Sequence, residues 1–119
     1  MKLKAIDGEL SVCKLSSVDG VELSDPFTFL SVTDEEVSLV CRTESVQKVT
    51  CREDGWRMFR IEEQLDFSLI GILADISRIL ADEGIGIFVV STFNTDYILC
   101  KKENFERAVA ALAAEGYRY

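Results

Sequence analysis

The strongest constraint on the fold is a repeated change of hydrophobic period in the second half of the chain. From Arg57 to Glu63, Met58, Phe59 and Ile61 are interleaved with charged residues, and this alternation predicts a strand. Leu69, Ile72, Leu73, Ile76, Ile79 and Leu80 then recur at three- and four-residue spacing, with Asp75, Arg78, Asp82 and Glu83 largely between them. That spacing lines one face of an amphipathic helix. Asp66 or Ser68 suits its N-cap, and Gly84 supplies a left-handed residue at its end. Ile85 to Phe93 contains Ile87, Phe88, Val89 and Val90 in succession, which predicts a central strand covered on both faces. Asp96 to Lys101 is expected to form the next strand. Glu103 to Ala114, with Phe105, Ala108, Val109 and Leu112 at helical spacing and Gly116 beyond, predicts a second helix. The order strand, helix, strand, strand, helix is that of a split βαβ, ferredoxin-like sandwich, an α+β fold.

The first half repeats part of this order. Leu10 to Leu15, Phe27 to Val32 and Val37 to Cys41 read as strands. Asp19-Gly20 marks a turn in the Ser16 to Pro26 connection, and Thr33 to Glu36 joins two strands as a hairpin tip. Val46 to Cys51 fits a short helical turn or a strand, and periodicity does not choose between them. A shift of 59 residues lays Thr33 on Thr92, Cys41 on Cys100 and Glu44 on Glu103, and strand, turn and strand coincide as well. An internal duplication is the resulting expectation. Residues 1–55 would be a degenerate copy and residues 56–119 the full unit, with Trp56 anchoring their junction. A single proline, Pro26, and no Ser/Gly-rich linker interrupt the chain, so both units are expected within one compact structural domain.

Composition narrows the function. A chain of 119 residues buries roughly two thirds of its unfolded surface, enough for a real core. Aspartate and glutamate number 21 against 13 lysines and arginines, for a net charge of −8. Nucleic acid is therefore not an expected partner, because a phosphate backbone calls for a basic surface. The chain has no histidine, which removes Ser-His and Cys-His catalytic pairs and the commonest zinc ligands. Cys13, Cys41, Cys51 and Cys100 show no CxxC spacing, and three sit in apolar runs where a free thiol acts as a small hydrophobe. No metal site and no cofactor are expected. Met1 to Leu10 carries Lys2, Lys4, Asp7 and Glu9 and lacks the apolar core of a signal peptide. No apolar run approaches the roughly 20 residues of a membrane span. No membrane partner is expected, and the reducing cytoplasm is the expected compartment.

Three segments carry a family resemblance. Phe67-Ser68-Leu69-Ile70-Gly71-Ile72-Leu73, Leu80 to Phe88, and Ser91-Thr92-Phe93-Asn94-Thr95-Asp96-Tyr97-Ile98-Leu99 resemble the small stand-alone ACT-domain proteins related to the amino-acid-sensing CASTOR family. Asp34 to Val40 is similar to the acidic strand entry of those proteins. The resemblance covers nearly the whole chain and is strongest over Trp56 to Val109. It implies two tandem βαββα ACT units whose strands form a common sheet with helices on one face. It also implies a regulatory sensor that binds a small molecule, most often an amino acid, between units, and a homodimer. By position it assigns ligand contacts to Asp66, Phe67, Ser68, Leu69, Ile70 and Gly71, in the loop from strand into helix. On the facing strand it assigns Ser91, Thr92, Asn94, Thr95 and Asp96.

The residues suit such a ligand. Amide groups at a helix N-terminus around Ser68 to Gly71 favour a carboxylate, Asp96 can pair with an ammonium group, and Ser91, Thr92, Asn94 and Thr95 offer neutral donors and acceptors. Phe67 and Phe93 could wall the pocket. Each has a plainer structural role beside this one. Asp66 and Ser68 serve as caps, Gly71 as a close-packing residue, Asn94 and Asp96 as turn residues, and Phe67, Phe88 and Phe93 as core. Asp34, Glu35 and Glu36 read as a solvated hairpin tip, with a second pocket half or a cation site built from carboxylates as the alternatives. An enzyme would have to use paired carboxylates such as Asp34 and Glu36, or a thiolate at Cys100 beside Lys101. Neither has a positioned partner in the sequence, so the expectation is a non-enzymatic binding protein. The alternative is a structural or interaction module of the same fold without a ligand.

Overall fold

The computed structural model describes residues 1–46, 49, 51–62 and 70–119. Six strands, β1 (Leu3–Leu15), β2 (Phe29–Val32), β3 (Val37–Arg42), β4 (Cys51–Ile61), β5 (Phe88–Ser91) and β6 (Asp96–Lys101), accompany two α-helices, α1 (Ile72–Asp82) and α2 (Lys102–Ala114). A single 3₁₀ turn, Thr43–Ser45, follows β3. Hydrogen-bonded neighbours follow the order β2-β3-β1-β4-β6-β5. The chain divides into two compact units, one of Met1–Asp7 with Arg57–Tyr119 and one of Gly8–Trp56. Both long strands pass through this division, and beside each passage stands a glycine of positive φ, Gly8 at 93° and Gly55 at 83°. A Cβ would strain the backbone at either point.

In the unit of Met1–Asp7 and Arg57–Tyr119, the predicted order is present as β4, α1, β5, β6, α2. Its core joins Leu3, Phe59, Ile61, Ile98 and Cys100 on strands to Ile76, Ile79 and Leu80 of α1 and Phe105, Ala108 and Leu112 of α2. These helix residues are the predicted apolar stripes, and burying each large aliphatic side chain contributes roughly 1.5–3 kcal/mol. The Phe59 ring meets Phe105 with centroids 6.4 Å apart and Tyr119 edge-on at 6.1 Å. Helix α1 closes through Gly84 N–H to Ala81 and Ile85 N–H to Leu80, and α2 through Gly116 and Tyr117 in the same way. Both are Schellman ends, with Ile85 and Tyr117 buried just past the helix. The chain end is tied back where Arg118 N–H bonds Met1 O at 3.0 Å and Leu3 N–H bonds Arg118 O.

Three expectations change here. β1 begins at Leu3 rather than Leu10, because Lys4, Ala5, Asp7 and Gly8 break the alternation that marks a strand in sequence while the backbone still pairs. The run Ile87 to Val90 is not a central strand. β5 stands at one end of the strand order, and Phe88, Val89 and Val90 are half-buried. The strand covered on both faces is β6, in which Ile98, Leu99 and Cys100 are completely buried. Finally, the N-cap of α1 is Gly71, with no side-chain cap, so the helix starts at Ile72. Asp66 and Ser68, read as its caps, lie outside the described residues.

The unit Gly8–Trp56 carries β2 and β3 as a hairpin, with β3 paired antiparallel to β1 from Leu10↔Arg42 to Leu15↔Val37. β2 and β3 pair from Phe29↔Val40 to Val32↔Val37, and β5 and β6 from Phe88↔Leu99 to Ser91↔Asp96. The 59-residue shift carries each of these pairs onto its counterpart, so both hairpins have one register. The correspondence stops at the helices. No α-helix occurs among the described residues of Gly8–Trp56, and only the 3₁₀ turn stands where α2 begins in the other half. Val46 to Cys51, left open by periodicity, contributes Cys51 to β4. A fully buried Ser11 donates to Asp54 Oδ1 at 2.6 Å and pairs with Thr43 Oγ1 at 2.9 Å, joining β1, the 3₁₀ turn and β4.

Candidate functional site

Of the residues assigned to ligand binding, Asp66, Phe67, Ser68 and Leu69 lie outside the described residues. Ile70 is exposed at 89% and Gly71 is exposed at the start of α1. Gly71 has φ 89°, and no atom lies within 4 Å of where a Cβ would stand. Close packing against the sheet is therefore not its role. Its positive φ turns the chain into the helix, and its carbonyl accepts the Asp75 N–H at 2.9 Å.

Ser91, Thr92, Asn94, Thr95 and Asp96 are brought together in the β5–β6 turn. Thr92 N–H donates to Thr95 O at 2.8 Å, the Thr92 hydroxyl to the same carbonyl at 3.0 Å, and Thr95 N–H reaches Thr92 Oγ1 at 3.4 Å. The Thr95 hydroxyl donates to Ile61 O at 2.7 Å and pins the turn to the end of β4. Ser91 donates to Asp96 Oδ1 at 2.5 Å across the last register pair, a hydrogen bond strengthened by the carboxylate charge. The other hairpin tip repeats this chemistry. Thr33 N–H and hydroxyl both donate to Glu36 O, and Thr33 Oγ1 accepts Glu35 N–H at 3.2 Å and Glu36 N–H at 3.0 Å. Thr92 thus performs a turn-building task that its counterpart performs as well. Phe93, read as core or pocket wall, is 76% exposed, because the turn places it beyond the last strand pair.

Sequence reasoning missed the groups at the base of this turn. Arg60 Nε donates to Glu62 Oε2 at 2.9 Å and its guanidinium to the Tyr97 hydroxyl at 3.4 Å, with the guanidinium carbon 6.0 Å from the Tyr97 ring centroid. The Arg60 hydrogen bond holds the Glu62 carboxyl below the usual carboxylate range. Position alone gave no signal for this cluster, since Arg60 stands on β4, Glu62 just beyond it and Tyr97 on β6.

Burial disfavours thiol chemistry at Cys41 and Cys100. Cys13, Cys41 and Cys100 are buried and Cys51 is exposed, and desolvation pushes Cys41 and Cys100 up to about 11. Cys100 is therefore a neutral thiol at physiological pH, unsuited to the nucleophile role considered beside Lys101. Among the described residues no three of His, Cys, Asp and Glu converge as metal ligands, and no helix is long and apolar enough to cross a membrane.

A concave feature lies within Gly8–Trp56, a cavity of about 580 Å³ between the 16–28 connection and the sheet residues Leu15, Leu39 and Cys41. The connection's turn residues were legible in sequence. That they enclose a volume was not.

Similarity to known proteins agrees with this architecture. A crystal structure of an Agrobacterium tumefaciens protein is 30% identical, covers 98% of this chain and 90% of its own, and superposes with a TM-score of 0.87. A Vibrio cholerae protein of unknown function, described as a possible transport protein, matches at 20% identity over 95% of this chain and 88% of that one, with a TM-score of 0.75. A structure of aspartokinase alpha and beta subunits matches at 14% identity over 95% of this chain and 91% of that one, with a TM-score of 0.67. The last two likenesses concern the fold. Residues 52–114, from β4 through α2, match the ACT domain, and with that match over more than half its length the chain belongs to the ACT domain family.

Proposed function

We propose that this protein is a non-enzymatic regulatory module that binds a small amino acid through residues Asp66–Gly71 and the Ser91–Asp96 turn. The observation that carries the reading is the ACT match itself, because residues 52–114 contain every assigned ligand contact and ACT domains are typically regulatory. Asp96 would take the ammonium group and the amides leading into α1 the carboxylate. The turn's internal hydrogen bonds support the reading by holding Asp96 in one orientation before a ligand arrives, which lowers the entropy cost of binding. We further propose a degenerate first copy of the unit at residues 1–55, a relation to the CASTOR sensors, a homodimeric assembly and a cytoplasmic location. Regulation follows if the ligand prefers one conformational or oligomeric state.

The test is thermal unfolding of the full chain against the common amino acids. A selective ligand at about 100 times its Kd stabilises by roughly 2.7 kcal/mol, and Asp96→Ala should weaken binding about tenfold while leaving the chain folded. Unaltered affinity in that variant removes Asp96 from the site. One observation favours a second reading, an interaction module without ligand: Ser91, Thr92, Thr95 and Asp96 already satisfy one another and Ile61. A flat response to the whole panel selects it.

A further inference from the structure

The cavity in Gly8–Trp56 occupies the place of a missing helix. Leu39 and Cys41 form part of its floor, and the 59-residue shift maps them onto Ile98 and Cys100. In the other unit those two residues are packed under α1 and α2 in one core cluster. Here the chain from β1 to β2 runs through turns instead of a helix, and the covering connection stands off the sheet, leaving about 580 Å³. That volume is within the range of small-molecule sites.

The lining has a defined chemistry. Its floor is aliphatic and thiol, and its rim carries the carboxylates Asp19, Glu22 and Asp25 with several hydroxyls. Half-buried Asp25 accepts the Ser45 hydroxyl at 2.8 Å through Oδ2, which fixes its orientation. The amide and hydroxyl of Ser24 both donate to Glu22 Oε1, so this carboxylate is also positioned, and the same bonds hold it ionised. Among the described residues the lining includes no lysine or arginine. Among the described residues no three carboxylates converge closely enough to hold a metal ion. An apolar floor under a rim of carboxylates, two of them held by hydrogen bonds, fits an apolar body bearing an ammonium group.

We propose that this cavity is a binding site for small organic amines, made of residues other than those of the amino-acid site above. The test titrates the full chain calorimetrically with isopentylamine, phenethylamine and 1,5-diaminopentane, with isovalerate and isopentanol as carboxylate and neutral controls. Saturable binding of at least one amine is expected, with the two controls silent. Glu22→Gln and Asp25→Asn should each weaken amine affinity about tenfold. Glu22 is exposed and its side-chain contact is with Ser24, so its variant keeps the test valid should Asp25→Asn unfold the loop. Asp96→Ala should leave amine binding unchanged, which separates this site from the amino-acid site. The proposal is overturned if no amine binds in the millimolar range, if the controls bind equally, or if Glu22→Gln retains full affinity.

Discussion

The hairpins β2–β3 and β5–β6 share a register, a threonine-closed turn and a buried cysteine at the same position. They differ in what covers them. β6 leads into the thirteen-residue helix α2, and its Ile98 and Cys100 disappear beneath helices. β3 leads into one 3₁₀ turn, and its Leu39 and Cys41 join a smaller cluster beside a cavity. Strand pairing and turn chemistry are thus local properties that recur in both hairpins. The covering layer differs between them, and that layer decides whether a sheet face becomes core or pocket.

The largest expected effect tests this difference directly. Leu112→Ala removes a completely buried side chain from the helix-covered core and should cost about 2–5 kcal/mol in urea unfolding. Leu39→Ala deletes atoms that already border the cavity, so the enclosed-void contribution is absent and the cost should approach the transfer term alone, about 1.5–3 kcal/mol. Equal losses would mean that the two faces are equally packed.

Alkaline stability sharpens the parallel between the cysteines. Cys41 and Cys100 have native values near 11 against an ordinary 9.0, through burial. A raised native value means that the unfolded chain binds fewer protons above pH 9. Stability is therefore full below pH 9 and declines from there to pH 11, by up to ~2 kcal/mol per thiol. Cys41→Ala and Cys100→Ala should each flatten that decline to a similar degree in unfolding curves taken from pH 8 to 11. A change confined to one variant would show that the two environments have diverged.

The smallest effect concerns the turns. Thr33→Val and Thr92→Val each remove a hydroxyl that donates to a carbonyl across the tip and should cost about 1 kcal/mol apiece. Unequal losses would mean that one turn has a task beyond closing its hairpin, and a larger penalty at Thr92 on amino-acid binding than on stability would place that task at the ligand.

Much of the local structure was legible in the chain. The stripe of Ile76, Ile79 and Leu80 located α1 because helical period and burial coincide there. Gly84 and Gly116 marked both helix ends because the Schellman turn needs a left-handed residue. The Asp96 start of β6 followed from alternation after a short polar tip. Less was legible where two elements must meet. The Arg60–Tyr97 contact joins residues far apart in sequence, and the cavity is lined jointly by the 16–28 connection and by Leu39 and Cys41 of β3. Phe93 looked like core because its apolarity is intrinsic, while its exposure depends on where the turn ends.

By itself the sequence determined the order of elements in the second half, the repeated hairpin, the neutral buried thiols and the membership that its helix-entry and turn segments announce, since each rests on residues close along the chain. Only the tertiary structure decided that β6 rather than β5 is covered on both faces, that Gly71 caps α1, and that the 16–28 connection roofs a cavity. Those outcomes depend on which surfaces are left over once strands have paired and helices have packed, a competition among distant residues that no local pattern records.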